Sequence, residues 1–270
     1  MKKHYKTALT IAGSDPSGGA GIQADLKAFS ACGCYGSSAI VAVVDENTVG
    51  VTGVHPIPVD FVIGQIKSVL DDIGADAIKI GMLHSSELIM GVKDTLAKYN
   101  IRNVVLDPVM VTTSGDTLLQ QEAIETLKEE LVSSVRIITP NIPEAEILLG
   151  EKIEKQEDLP LFARKLSFDR KVSVLLKAGH LTDDELVDIF YNAETDEILE
   201  LKSQRVYTKN THGTGCTFSS AIAAFLAHGL EMNEAIKKAK EYMTNAIIAG
   251  ANYEIGKGHG PVHHFFNFWK

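Results

Sequence analysis

Apolar residues in this chain fall into short unbroken runs, separated by longer stretches in which they recur every three or four positions. Ala8–Gly13 reads as a buried strand, and beyond the loop Ser14–Gly19 the residues Ile22, Leu26 and Phe29 share one face of a helix that runs to about Cys32. Ser38–Val44 is rich in β-formers and apolar on both faces, the pattern of a central parallel strand. Val51–Pro56 reads as a short strand and Phe61–Ile73 as an amphipathic helix. The pattern then alternates regularly: strand Ala77–Met82, helix Ser86–Tyr99, strand Val104–Val109, helix Gln121–Val132, strand Val135–Thr139, helices Pro143–Leu149 and Leu159–Leu166, strand Val172–Leu176. Glu185–Asn192 and Glu197–Val206 flank the turn Glu194-Thr195-Asp196 as a hairpin, and helices Phe218–Leu230 and Asn233–Gly250 follow.

Strands alternating with helices of this length specify βαβ units. The expected fold is therefore α/β with three αβα layers, a mostly parallel central sheet and an antiparallel edge at the hairpin. No Pro/Ser-rich linker, repeat or low-complexity stretch divides the 270 residues, so residues 1–270 are expected to form one domain. A net charge of −9 with scattered Lys and Arg argues against nucleic acid as a partner, and no apolar run approaches the roughly 20 residues that span a bilayer. Three cysteines, Cys32, Cys34 and Cys216, are an odd number and too few for a disulfide framework, which points to a reducing cytoplasm. Cys32 and Cys34 read as packing residues.

In open parallel sheets, ligands bind beyond the carboxyl ends of the strands, and the polar residues gather there. Asp15 and Asp25 follow the first strand, Glu46 the second; Asp107 lies in Val104–Val109, Asn141 and Glu144 follow Val135–Thr139, and Lys177 follows Val172–Leu176. Near the chain's end, Thr211-His212-Gly213-Thr214-Gly215-Cys216-Thr217 opens an apolar helix. Glycines just before a helix let free N–H groups converge where the helix dipole favours negative charge, so this loop reads as an anion cradle. Cys216 at its mouth is expected to carry a stabilised thiolate, fit to act as base or nucleophile near neutral pH. The same residues also fit a glycine turn with a small buried thiol capping a core helix. Asp107 and Glu144 offer hard oxygen ligands for magnesium, although Asn141 and Glu144 also have the spacing of an N-cap with its first-turn acid.

Two other motifs compete. Gly13-Ser14-Asp15-Pro16-Ser17-Gly18-Gly19 has Gly19 where a Walker loop requires lysine. A dinucleotide fingerprint fits Gly19-x-Gly21-x-x-Ala24 with Asp45 and Glu46 ending the next strand, but leaves the loop at 213–215 without a purpose. In the tail, His259, His263 and His264 flank Gly260-Pro261, which prevents the helix that would align them on a metal. That segment is expected to fold back.

Taken together, the blocks running from Leu9-Thr10-Ile11-Ala12-Gly13-Ser14-Asp15-Pro16-Ser17-Gly18-Gly19-Ala20-Gly21 through Glu46-Asn47-Thr48, Lys79-Ile80-Gly81-Met82-Leu83, Asp107-Pro108-Val109-Met110, Thr139-Pro140-Asn141 and Asn210–Thr217 to Gly258-His259-Gly260-Pro261-Val262-His263-His264 are similar to the hydroxymethylpyrimidine/phosphomethylpyrimidine kinases of thiamine synthesis, within the ribokinase superfamily. The resemblance implies phosphorylation of 4-amino-5-hydroxymethyl-2-methylpyrimidine, and then of its monophosphate, by ATP with Mg2+. It places the pyrimidine against Gly13, Asp25, Glu46, Met82 and Val109, the nucleotide near Asn141, Glu144 and Lys177, the metal on Asp107 and Glu144, and the transfer at Gly213, Thr214, Gly215 and Cys216. It also implies a homodimer. Many relatives carry Gln where this chain has Glu46. Some pyridoxal kinases share the Gly-x-Gly-Cys loop, so a vitamin B6 kinase stands as an alternative, and so does a ligand-sensing module that binds without turnover.

Overall fold

The computed structural model describes residues 3–110 and 119–269. Its elements, in chain order, are β1 (Thr7–Ala12), α1 (Gly21–Ala31), β2 (Tyr35–Ile40), β3 (Ala42–Asn47), β4 (Gly50–Pro56), α2 (Val59–Asp72), β5 (Ala77–Ile80), α3 (Ser86–Leu96) and β6 (Val104–Leu106). They continue with α4 (Gln121–Thr126), β7 (Ile137–Ile138), α5 (Ile142–Leu149), α6 (Leu159–Leu166), β8 (Ser173–Leu176), β9 (Glu185–Asn192), β10 (Glu197–Gln204), α7 (Thr214–Ala227) and α8 (Met232–Gly250). α4 runs on through one π-helical turn, Leu127–Leu131, into a 3-10 turn, Val132–Ser134.

Eight strands form one sheet in the order β10-β9-β8-β7-β6-β5-β1-β2, parallel from β2 to β8. β9 then runs antiparallel to β8, and β10 antiparallel to β9, so the hairpin supplies the antiparallel edge. Side chains alternate across this sheet, as the strand period of two requires. Leu9, Ile78, Leu106, Ile138, Val174 and Ile189 pack with α2 to α6 on one face; Ala8, Ala77, Val105, Ile137, Leu175 and Phe190 pack with α1, α7 and α8 on the other. The alanines on the second face let α7 lie close, and α7 is buried along most of its length.

Ser38–Val44 is not a central strand. β2 ends at Ile40 on the edge of the sheet, and the chain crosses at Val41 into β3, which pairs antiparallel with β4 as a separate two-stranded flap. Ala39, Val41, Ala42 and Val44 are nevertheless all buried against the same core, because the flap's root packs on it. A continuous apolar run looks alike in a central strand and in a segment that steps from a sheet edge onto the core. The flap's register shifts between Asp45 and Glu46, where β4 carries the extra residue Thr52. The central strands are also shorter than expected: Pro108 and Pro140, which lack an N–H, follow β6 and β7 closely and end their ladders, so Asp107 lies just past its strand.

α1 positions much of the site, and Phe29 anchors it. The ring is wholly buried, and Gly36 of β2 makes room for it: a Cβ there would stand 3.1 Å from the ring edge. Phe29→Ala is expected to lower unfolding free energy by about 3–5 kcal/mol, read from the urea midpoint. A loss below about 1 kcal/mol would show that α1 is held by something else.

Candidate active site

A cavity of 730 Å³ opens at the carboxyl end of the parallel strands, where β1, β5, β6 and β8 present their following loops. Two helices point their N-termini into it. α7 starts immediately after Gly213, whose φ of 73° is left-handed and whose backbone lies so close to the preceding glycine loop that a Cβ would stand 1.8 Å from the Gly19 carbonyl oxygen. No other residue fits there. The N–H groups of Gly213, Gly215 and Cys216 donate to no protein acceptor among the described residues, so they are free for an anion. α1 begins at Gly21, φ 54°, with its N–H directed to the Cys216 sulfur.

At one end the cavity is walled by Gly13, Met82, Val109 and the flap residues Val44, Val51 and Val54, with Glu46 as the polar group among them. Met82 Cε and Val44 Cγ2 stand 3.2 Å and 3.8 Å from where a Gly13 Cβ would be, so a side chain at 13 would fill the slot. His212 joins this end to the cradle. Its Nε2 lies 2.8 Å from Asp15 Oδ2 and 3.9 Å from Glu46 Oε1. Asp15 also accepts from Ser17 N–H at 2.7 Å and Ala20 N–H at 2.6 Å, which fixes the glycine loop. Burial works against the Asp15 carboxylate, but His212, Ser17 and Ala20 outweigh it and hold the group below the usual range. Burial and the nearby Asp15 charge push Glu46 up, with His212 opposing. Burial disfavours the imidazolium of His212, but Asp15 and Glu46 more than restore it.

At the cavity's centre, Asp107 Oδ1 accepts from Thr139 Oγ1 at 2.9 Å and from Lys177 Nζ at 3.1 Å. Burial alone would raise the Asp107 pKa; Lys177, Lys79 and Thr139 reverse that and keep it low. Asn141 and Glu144 form the full capping box of α5: Asn141 Oδ1 accepts from Glu144 N–H at 3.0 Å, and Glu144 Oε2 accepts from Asn141 N–H at 2.8 Å. The helix-capping role is thus real, and it occupies Asn141's side-chain oxygen. Asp107 Oδ2 and Glu144 Oε1 receive no hydrogen bond from the described residues, and both residues line the cavity. Burial, helped by Asp107, pushes Glu144 up to about 8 against Lys177 and the Asn141 N–H. Two carboxylate oxygens without donors, open to the cavity on otherwise buried residues, are a donor set that fits a hard divalent cation. The far end is lined by Gly179, Leu186, Arg205, Val206, Met243 and Ile247, a mainly apolar slot between β10 and α8.

Two expectations change. Asp25 does not line the cavity: it is wholly buried between α1 and α7, both oxygens bound by Lys79 Nζ at 2.9 Å, with Thr10 Oγ1 at 2.6 Å and Ser220 Oγ at 2.7 Å completing them. Position 25 lies one helical turn beyond Gly21, which turns its carboxylate beneath the loop instead of into the opening. Nor does Cys216 carry a stabilised thiolate. Burial pushes it up to about 11; Lys79 and the Gly21 N–H pull the other way, while Asp25 and Asp107 add to the rise. The sequence also hid His212 and Lys79. His212 immediately precedes Gly213, but its partners are 197 and 166 positions away; Lys79 had a visible signal, a lone charge in the apolar strand Ala77–Ile80.

The tail folds back as expected and ties the flap to the cradle. Lys257 and Gly258 N–H each donate to Thr48 Oγ1 at 3.2 Å, His259 N–H donates to the Thr48 carbonyl at 2.8 Å, and Gly260 accepts from His212 N–H at 3.0 Å. His263 packs against Tyr253 and Trp269, and His264 is buried with Nε2 2.9 Å from Thr217 Oγ1, so the histidines serve separate contacts.

The raised thiol predicts the chemistry of the free protein. Alkylation of Cys216 by iodoacetamide, followed by peptide mass mapping, should be slow at pH 7.5 and should climb through pH 10 without levelling. A plateau near pH 7 would mean that the helix N-termini overcome burial.

Residues 15–263 match the model of the family described as Phosphomethylpyrimidine kinase. The hydroxymethylpyrimidine/phosphomethylpyrimidine kinase of Salmonella typhimurium is 46% identical over 263 residues, covering 97% of this chain and 98% of the relative. The crystal structure of phosphomethylpyrimidine kinase from Clostridium difficile has 43% identity and a TM-score of 0.78, covering 89% of this chain and 99% of that one. The pyridoxal kinase from Staphylococcus aureus, in complex with AMP-PCP and pyridoxal, has 34% identity and a TM-score of 0.88, covering 98% of this chain and 96% of that one. A ribokinase-like sheet, a glycine cradle at the start of α7 and near-full-length identity to named kinases coincide in one molecule: the chain belongs to the phosphomethylpyrimidine kinase family.

Proposed function

We propose that the protein is an ATP-dependent kinase that phosphorylates 4-amino-5-hydroxymethyl-2-methylpyrimidine and then its monophosphate, in thiamine synthesis. The observation that carries this reading is a set of free N–H groups at Gly213, Gly215 and Cys216, lying in one cavity between a small apolar slot bordered by Glu46 and a second, mainly apolar slot bordered by Arg205, with Lys177 between them. The geometry suits transfer of an anionic group between two bound molecules.

In this reading the pyrimidine ring lies between Gly13, Met82 and Val109, and Glu46 accepts from its amino group. Held near His212 and raised by burial, Glu46 can also share a proton with a ring nitrogen. The nucleotide's base occupies the slot between β10 and α8, and its phosphates run past Lys177 to the cradle. The N–H groups of Gly213, Gly215 and Cys216 stabilise charge on the phosphoryl group in flight, the larger part of catalysis for such a step, while Thr214, whose N–H donates to the Thr211 carbonyl, holds the turn of the cradle. Cys216 at rest is a thiol, so its part is to orient the acceptor hydroxyl toward the cradle. Asp107 and Glu144 would hold a magnesium ion, which would supply positive charge to offset that of the phosphates; Glu144 would give up its proton on binding it.

The fold likeness to a pyridoxal kinase makes pyridoxal the alternative acceptor; Glu46 favours the pyrimidine, whose amino group needs an acceptor that pyridoxal does not. The three cysteines, all free thiols, suit a reducing cytoplasm, and no helix among the described residues is long and apolar enough to cross a membrane.

Phosphorus NMR after incubation with MgATP and the pyrimidine alcohol should show the monophosphate and then the diphosphate. With pyridoxal in its place, turnover should be lower by about 10²-fold, the cost of leaving the half-buried Glu46 acceptor unpaired once the ring covers it. Faster turnover with pyridoxal would reverse the assignment, and no phosphate transfer to either would leave a binding module.

A further inference from the structure

One charged group at the centre of the molecule has no part in the chemistry above. β5 reads Ala77-Ile78-Lys79-Ile80, and the Lys79 side chain is wholly buried. The parallel register sets Lys79 beside Thr10 of β1, and both project into the layer formed by α1 and α7. There Lys79 Nζ lies 2.9 Å from each oxygen of Asp25. An ammonium has three donors, and Asp25 takes two. The third has no acceptor among the described residues, yet Lys79 lines the cavity and its charge acts on both Cys216 and Asp107. Burial alone would drive Lys79 neutral; the Asp25 carboxylate, with Asp107 behind it, keeps it protonated. Gly81 leaves it room, since a Cβ there would stand 3.0 Å from Nζ.

As a structural staple this pair is a poor device. Desolvating two ions costs several kcal/mol each, and apolar side chains of the same volume would join α1 to α7 at least as well. Its position accounts for it better. A fixed positive charge with one unused donor, at the floor of the cavity and near enough for its field to act on Cys216 and Asp107, is placed to meet an acceptor oxygen that approaches the cradle.

We propose that Lys79 binds the acceptor oxygen in both phosphorylations, an inference that rests on the kinase reading above. In the first step its free N–H donates to the hydroxymethyl oxygen. That oxygen forms the new P–O bond as the bond between the γ-phosphorus and its bridging oxygen breaks; ADP leaves with the electron pair, and the hydroxyl proton is released to solvent. In the second step the same N–H donates to an oxygen of the substrate's own phosphate, which is already anionic and has no proton to lose. A neutral alcohol tolerates the absence of a cation. A phosphate dianion facing a nucleotide does not, so one buried ammonium lets a single site serve two acceptors of different charge.

The test compares the two acceptors in the Asp25→Asn/Lys79→Met double variant, which removes both charges and so leaves no unpaired ion. With MgATP, kcat/KM for the monophosphate should fall by about 10²–10³-fold and that for the alcohol about tenfold less steeply, while calorimetric ADP affinity is unchanged. Gly81→Ala keeps both charges but crowds Nζ; it should tilt the two rates in the same direction and serves if the double variant does not fold. Equal losses for the two acceptors in a folded variant, or no loss, would overturn the role of Lys79. Failure of the wild-type protein to phosphorylate either acceptor would instead overturn the kinase reading.

Discussion

The active site depends on how closely two backbones approach each other. Gly213 lies against the carbonyl of Gly19, and only a residue without Cβ, in a left-handed conformation, can occupy that position. This contact brings the loop after β1 and the loop before α7 to one place, though nearly 200 residues separate them in sequence. It aims the N-termini of α1 and α7 at the same point, so partial positive charge from two helices converges on Cys216 and the cradle. Asp15 secures the arrangement by accepting from the glycine loop on one side and from His212 on the other.

Around that contact the carboxylates fall into two groups. Asp15, Asp107 and Asp25 each sit beside a cation, whereas Glu46 and Glu144 are raised by burial and by neighbouring acids. The raised pair are the groups that a ligand would complete: one faces the apolar slot, the other faces the centre with a free oxygen. Sites whose carboxylates have been pushed apart in this way are suited to binding partners that arrive charged or protonated. The tail contributes by linkage, since Thr48 at the flap's turn and His212 at the cradle are bonded to the same segment, Lys257 to Gly260.

Much of this was legible in the residues. Alternating apolar runs specify the parallel sheet, Glu194-Thr195-Asp196 marks the antiparallel hairpin, and Gly213-Thr214-Gly215 announces the start of α7. Gly13, Glu46, Met82, Val109, Asp107, Asn141, Glu144 and Lys177 do meet in one cavity with residues 213–216. What was hidden turns on direction and solvent. Sequence position puts Asp25 near the site but cannot say that its helix turns the carboxylate inward to Lys79. Helix polarity favours a thiolate at Cys216, yet the sign of the balance depends on how thoroughly α1 and α7 bury the sulfur, which is a three-dimensional quantity. The edge-to-flap crossing at Val41 was masked because apolar residues are buried on both sides of it.

The central claim is that backbone amides of residues 213–216 grip the phosphoryl group as it moves. A crystal structure with a non-hydrolysable ATP analogue and the pyrimidine alcohol tests it directly. The account predicts terminal phosphate oxygens within about 3.2 Å of the Gly213, Gly215 and Cys216 nitrogens, with the hydroxymethyl arm on the opposite side. A terminal phosphate bound elsewhere in the cavity, with those nitrogens contacting only water, would contradict it.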